Sequence, residues 1–213
     1  MKYDDAYRKS PDFFGTEPHD NLKKYFHLMD KNRPALDVGA GQGRNALFLA
    51  RQGFTVDAID PSQVAVDITA RAAAGENLPV RTYCSRFEDF RPEKTPYGGI
   101  LLFGIIQILS WQDIHLLVEK IRAWTTADSL IFITAFTIDD PSYENNASRL
   151  KKIGKNSFLS EDGKPHTYLE PGEILTLFDG FTVVHHVEGL GPMHSHGGRE
   201  PHRHARVRAV LRI

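Results

Sequence analysis

The feature that most constrains the fold is a glycine-rich loop in residues 35–50, ALDVGAGQGRNALFLA. Apolar residues before the loop fit a buried strand, and those after it give the next helix an apolar face. Glycine at alternate positions, Gly39, Gly41 and Gly43, lets the backbone turn sharply and approach a ligand closely. Free N–H groups at a helix start suit a polar ligand, so the stretch predicts a nucleotide-binding turn. A plain tight turn is the alternative.

An acidic residue at the end of the next predicted strand supports the nucleotide interpretation. Residues 55–62, TVDAIDPS, form that strand and place Asp60 before Pro61. A carboxylate there can accept hydrogen bonds from both hydroxyls of a ribose. The alternative is that Asp60 caps the following helix. Dinucleotide enzymes use G-x-G-x-x-G, and Arg44 occupies the third glycine position, so the spacing disfavours a nicotinamide cofactor.

Composition narrows the class of protein. A chain of 213 residues with 41% hydrophobic content fits one α/β domain spanning residues 1–213. The net charge of −1 gives no general basic field, so no nucleic-acid partner is expected. The single cysteine excludes an internal disulfide, the polar start does not resemble a signal peptide, and no stretch reaches about 18 apolar residues. We therefore expect a cytoplasmic protein with no membrane partner.

The rest of the chain alternates between predicted helices and strands. After the second strand, the periodicity predicts helices over 63–74 and 112–124 and strands over 80–84, 100–103, 129–137, 181–187 and 206–213. This alternation predicts a doubly wound, mostly parallel sheet, and the last two strands are close enough in sequence to pair antiparallel. Ligands of such sheets bind at the carboxyl ends of the strands.

Two segments are predicted to cover the site. Within residues 1–30, Pro18 begins a helix through Met29, and the aromatic residues before it form either a cofactor lid or a mobile tail. In residues 139–170 the periodicity stops, and this polar insertion follows the fifth strand. Long loops in compact domains are usually lids or disordered, so we predict a lid here.

The glycine spacing, led by Asp37 and followed by Asp60, resembles the first motif of class I S-adenosylmethionine (SAM) methyltransferases. The stretch ALDVGAGQGRNALFLARQGFTVDAIDPS is similar to the cofactor segment of the tellurite-resistance methyltransferases, and the similarity continues through YGGILLFGIIQIL, TAFTIDDPSY and YLEPGEILTLF. The resemblance implies an α/β, Rossmann-like three-layer sandwich with a mostly parallel seven-stranded sheet and an antiparallel last strand. It implies SAM as cofactor and S-adenosylhomocysteine as product.

Carried onto this chain, the resemblance implies cofactor contacts in the first two loops, at Asp37, Gly39, Ala40, Gly41, Arg44, Asn45, Asp60 and Pro61. In the turn after the third strand, Arg86 would contact the cofactor, Phe87 would pack against its adenine, and Glu88 would accept from the adenine amine. A turn exposed to solvent is an equal alternative. Phe103 and Gly104 would lie beside the methionine part. The chain departs from the family at Gly98, where an acid often stands.

Histidines and arginines crowd the segment between the last two strands, which contains MHSHGGREPHRHAR. Its histidines could bind a metal, but the arginines would repel a cation, so no metal is predicted. A solvated basic hairpin and a positively charged substrate site remain as interpretations. The resemblance favours the second, with catalytic candidates His194, His196, Arg199, His202, Arg203 and Arg206.

Together these patterns predict transfer of a methyl group from SAM to a small-molecule acceptor. A soft oxyanion such as tellurite or selenite would need no general base, whereas a hydroxyl acceptor would need one, for which a neutral histidine is the obvious candidate. A small organic metabolite with an O-, N- or S-acceptor, or a SAM-binding protein without turnover, are the alternatives. The oligomeric state is open, with a homodimer as one arrangement.

Overall fold

The computed structural model describes residues 2–10, 12–193 and 200–213. Its strands are, in chain order, β1 (Ala35–Val38), β2 (Val56–Asp60), β3 (Val80–Cys84), β4 (Tyr97–Phe103), β5 (Thr125–Phe136), β6 (Lys151–Gly154), β7 (Ser157–Leu159), β8 (Pro165–Thr167), β9 (Thr182–Leu190) and β10 (Ala205–Arg212). Its α-helices are α1 (Lys2–Lys9), α2 (Asp20–Tyr25), α3 (Arg44–Arg51), α4 (Gln63–Gly75), α5 (Trp111–Trp124), α6 (Tyr143–Arg149) and α7 (Glu173–Leu177).

The main sheet has seven strands in the order β3-β2-β1-β4-β5-β10-β9. Strands β1 to β5 pair in parallel, whereas β10 pairs antiparallel with both β5 and β9. The predicted fold, including the antiparallel last strand, is confirmed. The strand order reverses between β1 and β4, which is where open α/β sheets bind their ligands.

Hydrophobic cores lie on both faces of the sheet, which explains why its central strands read as continuous apolar runs. Successive residues of β5 point to opposite faces, so Ile131 joins one core and Phe132 the other. Val207 and Val210 of β10 divide in the same way, and Leu22 of α2 is fully buried on the face of Phe132. Each such side chain contributes about 1.5 to 3 kcal/mol through burial.

Helix α2 is shorter than the helix that the sequence predicted from Pro18 through Met29. It begins at Asp20 because His19 is its N-cap, with Nδ1 accepting a hydrogen bond from the backbone N–H of Asn21 at 3.3 Å. It ends at Tyr25 and continues as a 3₁₀ turn over Phe26–Leu28. The apolar stripe that predicted it does pack inward, since Met29 is buried beside the sheet.

The insertion over residues 139–170, which shows no periodicity in the sequence, contains regular secondary structure, and whether it acts as a lid stays a prediction. It contains α6 and a small antiparallel sheet in the order β6-β7-β8. Buried Thr167 donates from Oγ1 to the backbone oxygen of Leu109 at 2.6 Å and accepts from Ser157 Oγ at 2.7 Å. These contacts fix the small sheet to the turn after β4. Its strands have only three or four residues, too few to show a period in the sequence.

None of the helices in the described ranges has the length and apolar character needed to span a membrane.

Candidate active site

The glycine loop after β1 has the backbone geometry that only glycine tolerates well. Gly39, Gly41 and Gly43 have φ angles of 71°, 55° and 82°. A Cβ atom added to Gly43 would lie 2.5 Å from Cγ2 of Thr69 on α4, closer than real Cβ atoms come. Ala40 completes the turn by donating its N–H to the backbone oxygen of Ile59 at 3.0 Å. The loop is therefore held close to β2 and α4.

Asp60 ends β2 and organises this loop from the side. One carboxylate oxygen accepts the N–H of Gly41 at 2.9 Å, and the other accepts the N–H of Ser62 at 2.8 Å. Burial raises the pKa of Asp60, and the two backbone donors only partly oppose this. The helix cap is Ser62, whose Oγ accepts from Ala65 N at 3.2 Å. Each oxygen of Asp60 keeps acceptor capacity for a ligand hydroxyl.

Asp37 in β1 is a buried carboxylate that lacks a full set of partners. Only 2% of the residue is exposed, and its Oδ2 atom has no hydrogen-bond partner within the part of the chain that the structure describes. Burial raises the pKa of Asp37 to about 7, opposed by the positive charge of Arg44. A buried acceptor without a partner beside a glycine loop fits a ligand that carries a cationic or hydrogen-donating group.

The amino-terminal segment lies over the glycine loop. A Cβ atom on Gly41 would lie 3.2 Å from the hydroxyl oxygen of Tyr7, which is buried on α1. Further along, the N–H of Phe13 donates to Gln42 Oε1 at 2.9 Å, and Gln42 Nε2 donates to the backbone oxygen of Ser10 at 2.7 Å. Whether this cover opens and closes as a lid is still a prediction.

Two predicted cofactor residues hold that segment in place. Arg44 Nη1 donates to the backbone oxygen of Phe14 at 2.5 Å, and Asn45 Oδ1 accepts the N–H of His19 at 2.9 Å. Arg44 also lies close enough to Asp37 to influence its titration. The guanidinium and amide therefore connect the loop to its cover, a role that the sequence did not indicate.

The turn after β3 differs from its predicted arrangement. Phe87 is 4% exposed and belongs to the hydrophobic core, which argues against the predicted contact of its ring with adenine. Its ring fills the layer beside Phe90, because a large aromatic side chain gains more from burial than from a solvated turn. Arg86 Nη2 donates to Glu88 Oε1 at 2.6 Å, so Glu88 already has a charged partner. Pro61 is exposed beside this turn.

The end of β4 carries a ring stack. The His19 imidazole lies on Phe103, with ring centroids 4.3 Å apart and planes 14° apart. Gly104 has a φ of 76° and donates its N–H to Thr134 Oγ1 at 3.0 Å. Burial, together with the charges of Arg44 and Arg206, lowers the pKa of His19 to about 4. A neutral imidazole thus stands between the glycine loop and β10.

Along β10, Arg206, Arg208 and Arg212 alternate with buried apolar residues and share one face of the sheet. The Nε atom of each is buried without a hydrogen-bond partner, and none forms an ion pair with a carboxylate among the described residues. Burial lowers the pKa of Arg206, and neighbouring Arg208 lowers it further. Arg206 and Arg208 lie toward the carboxyl ends of β4 and β5, where their charges reach His19.

The other predicted catalytic residues divide into two groups. Arg203 is exposed, and His202 is half-buried with Nδ1 at 2.9 Å from the backbone oxygen of Glu200. His194, His196 and Arg199 lie outside the described residues. Over residues 2–10, 12–193 and 200–213, no three His, Cys, Asp or Glu side chains come together as metal ligands would.

One pair was missed by the sequence reasoning. His204 Nδ1 lies 2.8 Å from Oδ2 of buried Asp140, just beyond the carboxyl end of β5. Two aspartates precede Pro141 in the sequence, and nothing in the pattern distinguishes Asp140 from exposed Asp139 or links it to a histidine.

Comparisons with known proteins agree with this architecture. Residues 35–128 match the family described as "Methyltransferase domain". TehB from Haemophilus influenzae has the same fold with a TM-score of 0.70 and 15% identity, covering 91% of this chain and 62% of that chain. The 1,6-didemethyltoxoflavin-N1-methyltransferase of Burkholderia thailandensis, with bound 1,6-didemethyltoxoflavin and S-adenosylhomocysteine, has a TM-score of 0.69 and 17% identity, covering 99% of this chain and 85% of that chain.

A third solved structure is described by the conversion of a disulfide bond into a thioacetal group during echinomycin biosynthesis. It has a TM-score of 0.69 and 19% identity, covering 99% of this chain and 90% of that chain. A 46-residue segment is 52% identical to hemagglutinin 1 of Eikenella corrodens, but it spans 22% of this chain and 15% of that protein. The predicted class I methyltransferase fold is confirmed, and the match to a methyltransferase domain covers residues 35–128. The narrower resemblance to the tellurite-resistance enzymes stays a prediction.

Proposed function

We propose that this protein transfers the methyl group of SAM to a small molecule. The observation that carries the proposal is the pairing of the glycine loop with Asp60, whose two oxygens accept the N–H of Gly41 in the loop and the N–H of Ser62 at the start of α4. Bound there, a ribose would place its hydroxyls on the remaining acceptor positions of Asp60. Asp37 Oδ2 is buried without a hydrogen-bond partner among the described residues, and it fits the ammonium group of the methionine part.

The residues of this chain bind, align and shield. SAM supplies an activated methyl group on a sulfonium, so the protein contributes chiefly by holding the acceptor in line with it, which can be worth about 7 to 11 kcal/mol. The segment that carries Tyr7 and Phe13 covers the loop and would keep water away from the reacting atoms.

The arginines of β10 indicate the kind of acceptor. Arg206 and Arg208 stand side by side on a half-buried face without a carboxylate partner in the described ranges, and an anionic or electron-rich acceptor would relieve their mutual repulsion. A soft oxyanion such as tellurite or selenite meets this description. So does a small organic metabolite that bears a carboxylate, and the toxoflavin methyltransferase shows this fold acting on an organic molecule.

Binding and turnover test the proposal together. SAM and NADH are titrated separately into purified protein by calorimetry, and S-adenosylhomocysteine formation is then followed with tellurite, selenite, thiols, amines and phenols. Binding of SAM without NADH, followed by turnover of at least one acceptor, supports the proposal. Tight SAM binding with no turnover on the whole panel would instead favour a SAM-binding protein without catalysis, and NADH binding would contradict the cofactor assignment.

A further inference from the structure

Asp140 and His204 form a hydrogen-bonded pair that lies 64 residues apart in sequence. Asp140 follows β5, and His204 immediately precedes β10, the neighbouring strand. The Asp140 side chain is 1% exposed and the His204 side chain 20%. The pair therefore consists of a buried carboxylate that holds a partly accessible imidazole.

The carboxylate of Asp140 is saturated with donors. Oδ1 accepts from the N–H and the Oγ of Ser142 at 2.9 and 2.5 Å, and Oδ2 accepts from Ala205 N at 3.0 Å and from His204 Nδ1 at 2.8 Å. Burial raises the pKa of Asp140, but the hydrogen bonds from His204 and Ser142 outweigh it, so the pKa lies below its ordinary value. Asp140 is thus an ionised group that can only accept.

This arrangement fixes the tautomer of His204. Because an ionised carboxylate has no proton to donate, Nδ1 of His204 must carry the shared hydrogen. The lone pair of the neutral ring is then on Nε2, at the far side of the imidazole. A carboxylate that sets the tautomer of a histidine in this way is the usual means of preparing it to accept a proton.

Ring stacking holds the imidazole from a second direction. His204 lies on Phe136, the last residue of β5, with centroids 4.3 Å apart and planes 22° apart. The ring of His202 meets it edge-on at 5.1 Å. Turning the imidazole would break both the stack and the bond to Asp140, so the direction of Nε2 is set by the fold.

The pair stands on the acceptor side of the proposed site. Strands β1, β4, β5 and β10 are consecutive in the sheet, so the start of β10 lies about 14 Å from the end of β1 at the usual strand spacing. Arg206 lies close enough to both Asp140 and Arg44 for their charges to influence its pKa. No other element of the proposed mechanism uses His204.

We propose that His204 is the general base of the methyl transfer, with Asp140 as its positioning residue. A base is needed only where the acceptor must lose a proton, so the acceptor in this proposal is a hydroxyl rather than a soft oxyanion. This inference rests on the proposed function. The hydroxyl oxygen forms a bond to the methyl carbon, and the carbon–sulfur bond breaks with its electron pair left on sulfur. The hydroxyl proton passes to Nε2 of His204 and from there to water. A soft oxyanion would not require this proton transfer.

The kinetic test uses His204→Gln with His27→Gln as control, since His27 is an exposed histidine on a distant 3₁₀ turn. A set of small phenols, including 4-hydroxybenzoate, is compared with selenite and with thiols. We expect phenol methylation by the parent and a fall of roughly 10² to 10⁴-fold in kcat for His204→Gln, the usual contribution of a general base. The control should keep the parental rate. Methylation of selenite or thiols alone, or a kcat for His204→Gln within twofold of the parent on phenols, would overturn the inference.

A second measurement needs no acceptor. Nitrogen NMR of histidine-labelled protein reports which ring nitrogen of His204 carries the proton, and we expect the hydrogen on Nδ1. In Asp140→Asn the amide can donate to Nδ1, so the hydrogen should move to Nε2, a change that loss of a purely structural contact would not cause. A parental ring with its hydrogen on Nε2 contradicts the proposal. Calorimetric SAM binding, measured on the same samples, should equal the parent in His204→Gln; a parent that binds no SAM would show that the methyltransferase assignment itself is at fault.

Discussion

The cofactor end and the acceptor end of the proposed site consist of different kinds of chemical groups. At the cofactor end, residues 37–44 and Asp60 offer main-chain N–H groups and glycines within a short stretch of chain. At the acceptor end, Asp140, His204 and Arg206 come from segments that are far apart in sequence and meet only because β5 and β10 are neighbours. Backbone geometry determines which groups the cofactor end presents to a ligand, and side-chain chemistry determines this at the acceptor end.

The buried aspartates show the same contrast. Within the described part of the chain, one oxygen of Asp37 has no hydrogen-bond partner, and burial raises the pKa of this residue to about 7. Asp140 accepts four hydrogen bonds, which hold its pKa below the ordinary value despite burial. An unsatisfied carboxylate marks a place that a ligand can complete, whereas a saturated one orients another side chain.

The largest expected effect is a loss of stability from a single methyl group at the cofactor end. Gly43→Ala combines a positive φ, costing about 1 to 2 kcal/mol, with overpacking against Thr69, costing about 1 to 3 kcal/mol more. Gly53→Ala is the matched control, because Gly53 has a φ of 91° but no atom within 4 Å of the added Cβ. Urea unfolding should show the larger loss for Gly43→Ala; equal losses would mean that the loop has room to yield.

The second effect should be a lower affinity for SAM when the carboxylate of Asp60, at the cofactor end, is removed. Asp60→Ala should cost about 1.5 to 3 kcal/mol in calorimetric SAM affinity, the range for hydrogen bonds to a charged group. Some destabilisation will accompany it, since Gly41 and Ser62 also lose their acceptor. Asp67→Ala, at an exposed position of α4, is the control. Unchanged SAM affinity in Asp60→Ala would remove the ribose role.

At the acceptor end, an arginine exchange tests side-chain chemistry. Arg206→Ala should raise acceptor KM or lower kcat by roughly tenfold or more, because a lost charged hydrogen bond costs about 1.5 to 3 kcal/mol. Arg212→Ala is a closely matched control. Arg212 shares the face of β10 and also has a buried Nε without a partner in the ranges that the structure describes, but it lies at the opposite end of the strand. SAM affinity should stay parental in both. Equal kinetics for the two variants would place the acceptor elsewhere.

The last expected effect is a pH dependence of the free energy of unfolding that arises from Asp37. Its pKa of about 7 in the folded protein exceeds the model-compound value of 3.8, so between these values the folded protein binds a proton that the unfolded chain has released. The resulting contribution to stability is fully present below pH 3.8 and is lost as the pH rises through about 7. The substitution Asp37→Asn removes this pH-dependent contribution to stability. The stability of the parent relative to Asp37→Asn, measured by urea unfolding without SAM, should therefore fall from pH 5 to pH 8; parallel pH profiles would contradict the assignment.

The same contrast explains how much the sequence could predict. The loop could be predicted from the sequence because its residues lie close together in the chain and one strand-turn-helix unit imposes their spacing. These residues are Gly39, Gly41, Gly43 and the nearby Asp60. The association of Asp140 with His204 depends on the pairing of β5 with β10, which no local pattern encodes. Phe87 was misplaced because an aromatic residue in a turn has the same local signal whether it faces a ligand or the core.

The most direct test of the account is a crystal structure of the protein with S-adenosylhomocysteine. The account predicts both ribose hydroxyls within hydrogen-bond distance of the Asp60 carboxylate and the amino group of the homocysteine part beside Asp37 Oδ2, with the sulfur directed toward the end of β4 and the side of β10. A nucleoside bound with its ribose away from Asp60, or bound outside the glycine loop, would contradict it.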